Sequence, residues 1–142
     1  MNVKTESIVC MAAGLLSGIL IDYGLMLILV CSFIGIDLLT GLVRAKLQEG
    51  LNSRAGYKGF WRKMALLTAL AFGICLDFFI DYISTLGIIS VSISSPIGHI
   101  IGVYIAVNEC ISICENLAAC EVKIPKWVKA ILSNIDNDIS PN

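Results

Sequence analysis

Long apolar runs dominate the chain, and its polar positions are gathered between them rather than alternating with them. Residues 7–21, 23–43, 64–83 and 97–117 each carry two charges at most. Helices that are apolar on nearly every side and about 20 residues long suit hydrocarbon rather than water. The pattern predicts an all-α integral membrane protein, a small bundle of three to four transmembrane helices. Segment 7–21 is the short one, 15 residues against the ~20 that a bilayer core requires. Asp22-Tyr23-Gly24 reads as a tight turn joining it to 23–43. If the first segment does not cross, three crossings remain and the N-terminus lies outside.

The breaks between the runs carry the cations. Segment 44–63 holds six of the ten Lys/Arg residues, Arg44, Lys46, Arg54, Lys58, Arg62 and Lys63, against the single acid Glu49. The remaining four are Lys4, Lys123, Lys126 and Lys129. Basic loops beside spanning segments stay in the cytoplasm, so the three clusters predict four spans with both termini cytoplasmic. Within the central cluster Tyr57, Phe60, Trp61 and Met64 recur at spacings of three and four. That stripe belongs at headgroup depth, where the six cations would set orientation and attract anionic lipid. Further on, Pro125 opens an amphipathic helix, 125–135, with Trp127, Val128, Ile131, Leu132 and Ile135 on one face, predicted to lie on the inner membrane surface. The polar, acidic tail 136–142 is predicted to be disordered. Residues 1–135 thus form one transmembrane domain.

Composition sharpens this picture. A water-soluble domain of 142 residues could not hide a sequence that is 57% hydrophobic and 15% charged. The net charge of −1 conceals segregated charges, and nucleic acid is not an expected partner. The six cysteines lie in or beside apolar runs, as small hydrophobes do, so they do not read as a disulfide framework. Cys110, Cys114 and His99 lack the second histidine or C-x-x-C that would complete a ligand set. With no catalytic motif either, neither an enzyme nor a cofactor is expected.

Two groups of polar residues lie inside the apolar runs. Asp37 is costly at membrane depth unless paired, and Arg44, seven residues on, is one candidate partner. Arg62 and Lys63 of the neighbouring helix are others. Asn108, Glu109, Ser112, Glu115 and Asn116 share about a third of a helix circumference, so that face must meet other helices or line water. A plainer reading makes them the place where the helix leaves the membrane. Gly14-x-x-x-Gly18 and Gly98-x-x-x-Gly102 permit close helix contact, within a subunit or between subunits. A polar stripe on a chain too small to enclose a pore favours a homo-oligomer.

The run Asp37-Leu-Leu-Thr40-Gly41-Leu-Val-Arg44-Ala45, followed by Leu51-Asn52-Ser53-Arg54-Ala-Gly56-Tyr57-Lys58-Gly59 and Lys63, resembles the phage holins of the toxin-secretion and lysis family of Gram-positive bacteria and their phages. Asn108-Glu109-Cys-Ile-Ser112-Ile-Cys-Glu115-Asn116-Leu117, then Ile124-Pro125, is similar to that family's closing motif. The family often has Gly before the final Pro, where this chain has Cys120-Glu121, and residues 1–22 match no motif of it. The resemblance implies a small cytoplasmic-membrane protein that oligomerises into lesions able to pass an endolysin or a toxin. The residues alone leave two other readings open, a small ion or solute channel or transporter subunit and a membrane anchor docking a soluble partner through the basic loop.

Overall fold

The computed structural model describes residues 3–48, 53–88 and 96–139, and the regular structure among these is entirely helical. Four helices follow one another: α1 (Val3–Leu47), α2 (Ser53–Thr85), α3 (Ile97–Ala119) and α4 (Lys126–Ile139). The first three are long and apolar enough to cross a membrane.

The turn predicted at Asp22-Tyr23-Gly24 is absent. One helix of 45 residues, about 68 Å long, runs straight through it, so 7–21 and 23–43 are not separate spans. Asp22 is exposed on the helix surface and Gly24 leaves the backbone ladder intact. An apolar setting offers a backbone no other hydrogen-bond partners, which favours continuing the helix over breaking it. At the other end of the chain α4 begins after Pro125 and reaches Ile139, beyond the predicted limit of 135. Residues 140–142 lie outside the described residues, as do Gly50 and Asn52.

α3 forms the middle of the bundle. It runs parallel to α1 and antiparallel to α2, since Gly98 near its start meets Tyr23 and Asp77 while Glu109 and Asn116 meet Lys63 and Asp37. Many large apolar side chains stand on the outside, Leu25 74% exposed and Phe72 62%, while Asp37, Glu109 and Asn116 are buried beside an apolar core. Apolar groups on the surface of this kind suit a hydrocarbon solvent.

The three most completely buried large side chains are Val30, Leu70 and Ile105, one from each long helix. Each lies seven residues from the level where Tyr23, Asp77 and Gly98 meet, about 10 Å along the axis. They mark an apolar mid-layer of the bundle.

Without a hydrophobic force between helices in lipid, close approach has to come from small residues and polar contacts. A Cβ on Gly98 would stand 2.9 Å from both Ile74 and Tyr23, and one on Gly102 would overlap Met26. Gly73 faces Gly98 directly, its Cβ position 3.2 Å from the Gly98 Cα, so α2 and α3 touch backbone to backbone. Gly98 and Gly102 therefore sit on contacts within one chain. Gly18 meets only the Phe78 ring, at an ordinary 3.6 Å, and Gly14 faces open space.

α3 ends in a Schellman turn, the Val122 N–H donating to Leu117 O and the Glu121 N–H to Ala118 O. Glu121 adopts the left-handed conformation, φ 64°, that glycine takes most readily.

Replacing Gly98 by Val should cost about 1–3 kcal/mol, because Tyr23 and Ile74 cannot both withdraw. Gly14→Val should fall well below that. Thermal unfolding of both variants in detergent, followed by helical circular dichroism, checks the difference.

Candidate functional site

Polar side chains meet at two levels, one on each side of the apolar mid-layer. At the first, the Asp77 carboxylate of α2 accepts three hydrogen bonds, each 2.7 Å long, from the Ile97 N–H, the Gly98 N–H and the Tyr23 hydroxyl. α3 starts after Pro96, which has no side-chain oxygen to cap it. Its free N–H groups and positive dipole end are served by a carboxylate from another helix. The His99 ring stacks on Tyr23 with centroids 4.5 Å apart. One residue thus ties the starts of α3, the far end of α2 and the middle of α1.

The second level carries the charges. Lys63 of α2 reaches Asp37 of α1 at 2.8 Å and also pairs with Glu109 of α3. All three side chains are at least 86% buried. Asn116 donates to Asp37 Oδ1 at 3.0 Å and to Thr40 Oγ1 at 3.4 Å, and its own Oδ1 accepts from Arg44 at 3.3 Å. The cation beside Asp37 is Lys63, where one expectation was Arg44. Two helical turns separate residues 37 and 44, about 10 Å along the axis, whereas Lys63 arrives from α2 at the same depth. Arg44 is instead joined to Asp37 through the Asn116 amide.

The five-residue stripe of α3 therefore divides. Glu109 and Asn116, seven residues apart and on one face, turn inward and are consumed in the network. Asn108, Ser112 and Glu115 line a cleft of about 340 Å³ between α2 and α3, together with Gly59, Arg62 and Leu66. Asp37, Lys63 and Glu109 form the deep end of that cleft. Among the other predicted basic residues, Lys46 and Lys58 are exposed at the same end of the bundle, and Arg54 stands in the first turn of α2.

Sequence reading overlooked the Asp77 cap and the Asn116 bridge. A signal for the first was present: a helix beginning at Ile97 behind a proline needs a donor's partner from elsewhere, and Asp77 is a carboxylate in an apolar run. Asn116 stood out as part of the polar stripe, but nothing local pointed to its bridge between Arg44 and Asp37.

The network is a dense one to break. Removing Lys63 leaves two carboxylates buried together, and loss of one partner of a buried pair typically costs about 3–5 kcal/mol. Lys63→Met should lower unfolding stability by that order. Tyr23→Phe, which deletes one hydrogen bond and keeps the cap, should cost about 1 kcal/mol. Unfolding in detergent measures both.

Comparison with known proteins places this architecture. Residues 9–137 match the profile described as the bacteriophage holin family. A probable holin of Bacillus phage phi105 is 33% identical over 103 residues, covering 72% of this chain and 68% of the phage protein. The uncharacterized protein YqxH of Bacillus subtilis is 36% identical over 112 residues, 79% of this chain and 71% of its own. An uncharacterized 14.9 kDa protein in the nagH 3′ region of Clostridium perfringens is 31% identical over 111 residues, 78% of this chain and 76% of its own. No solved structure matches the chain.

Proposed function

The chain belongs to the bacteriophage holin family, and from that membership we propose that its copies assemble in the cytoplasmic membrane into lesions that release an endolysin or a toxin. The observation that carries this reading is the polar edge formed by Asn108, Ser112, Glu115 and Arg62 on a bundle whose exterior carries many exposed large apolar side chains. Polar groups facing lipid are costly, so that edge seeks either another copy or water. Many copies together can turn such edges toward a common aqueous opening that no single small bundle could enclose. The buried network of Lys63, Asp37 and Glu109 keeps each bundle intact while this happens.

The same reading orients the chain. The C-terminal end of α1, the N-terminal end of α2 and the end of α3 lie together, bringing Arg44, Lys46, Lys58, Arg62 and Lys123 to one side, which we assign to the cytoplasm. With α1 continuous and crossing once, the N-terminus falls on the outer side, in place of the cytoplasmic position expected for four spans. On α4, Trp127 and Ile131 remain exposed beside Lys126, a face suited to the anionic inner leaflet.

Expression of the chain in a bacterial host should release a cytoplasmic reporter enzyme into the medium. Leakage of ions alone would favour a narrow channel, and an intact membrane would favour an anchor that docks a soluble partner. For orientation, Lys4→Cys should react with an impermeant thiol reagent added outside intact cells, and Lys58→Cys only after the membrane is opened. The native cysteines are replaced by Ser or Ala in both.

A further inference from the structure

The cleft between α2 and α3 holds two charges that no described residue of the chain pairs with. Arg62 on the α2 wall and Glu115 on the α3 wall are both exposed. Among the described residues neither side chain has an ion-pair or hydrogen-bond partner. Their neighbours differ: Lys63, Asp37 and Glu109 are already spent on one another. Arg62 lies eight residues from Leu70 and Glu115 ten from Ile105, on the same side of the mid-layer. At 1.5 Å per residue that is about 12 and 15 Å, so the two charges share one depth near the edge of the hydrocarbon. At that depth an unmatched charge is costly and an opposite charge is felt more strongly than in water.

Copies in one membrane share an orientation, so a two-fold axis relating two of them runs along the membrane normal. Such a rotation leaves depth unchanged and sets the α2 wall of one cleft against the α3 wall of the other. A patch with a cation on one wall and an anion on the facing wall is then self-complementary, as an isologous contact requires. Gly59 adds no side chain to the cleft, and a Cβ there would touch nothing within 4 Å, which leaves room for an approaching helix. An anionic lipid headgroup would answer Arg62 and be repelled by Glu115.

We propose that two copies close cleft to cleft about an axis along the membrane normal, each Arg62 pairing with Glu115 of the partner subunit. The pairing hides Asn108 and Ser112 from lipid before any lesion forms. This rests on the reading of the polar edge as the assembly surface, and it makes the paired dimer the resting unit from which larger assemblies start.

The test uses the full chain carrying either of two affinity tags, co-expressed in a bacterial membrane and co-purified in mild detergent. Wild-type copies should co-purify. Arg62→Glu and Glu115→Arg should each cut self-association about tenfold, since each replaces two attractive contacts by repulsive ones. Copies bearing Arg62→Glu should nevertheless recover copies bearing Glu115→Arg, because every contact in that mixed pair is again between opposite charges. Single variants that self-associate like wild type would overturn the proposal. So would a double variant rescued within one chain while the mixed pair is not, because the charges would then be intramolecular partners. Lipid retained by wild type and lost from Arg62→Glu, with no co-purification of copies, also overturns it in favour of a headgroup site. Should a reversal fail to insert, Arg62→Gln and Glu115→Gln serve instead, each expected to weaken self-association, with unchanged association counting against the proposal. Reporter release is scored separately, so pairing without release would sink the lesion reading alone.

Discussion

The rest of the bundle depends on one lysine held between two carboxylates from different helices. Lys63 of α2 touches Asp37 of α1 and Glu109 of α3, so a single side chain fixes the relative height of all three long helices. In water such a buried group adds little net stability, because desolvation offsets attraction. In hydrocarbon the separated charges have no comparable refuge, and sliding one helix past another would strand at least one of them. The Asp77 cap repeats the arrangement at the opposite level, joining α2 to the start of α3 and, through Tyr23, to α1. Two polar ties with an apolar layer between them determine register, while Gly73, Gly98 and Gly102 allow the backbones to come close enough for the ties to form.

That internal economy explains how one helix can serve both stability and function. Glu109 and Asn116 satisfy the inside of the bundle, and the residues beside them on the same helix, Asn108, Ser112 and Glu115, remain on the cleft. Rotation by one residue around α3 separates the group that holds the bundle together from the group available to other molecules. A holin needs both properties at once: a subunit that stays folded, and a polar edge that can change what it faces.

Much of this was legible in the residues. The apolar runs located the long helices, because that pattern follows from the solvent rather than from detailed packing, whereas most of the basic residues lie in helix ends and not in loops. The motifs around Asp37 and Asn108 pointed to the holin family, which the match over residues 9–137 supports. The break at Asp22-Tyr23-Gly24 was misread because a charged residue and a glycine signal a turn in water, whereas here they fit within a continuous helix. Partners such as Asn116 and Asp37, 79 residues apart, or Tyr23 and Asp77, 54 apart, are products of three-helix packing and leave no local spacing to read.

The uninterrupted length of α1 has a mechanical consequence for the surrounding lipid. The apolar part of that rod, residues 7–43 at about 55 Å, exceeds a hydrocarbon slab of about 30 Å, and the tilts usual for spanning helices do not absorb the excess. Each copy therefore imposes a local deformation on the bilayer, whether by thickening it or by bending part of the rod into the interface. Deformed annuli cost less when they overlap, so the elastic energy of the lipid draws neighbouring copies together even where their surfaces make no contact.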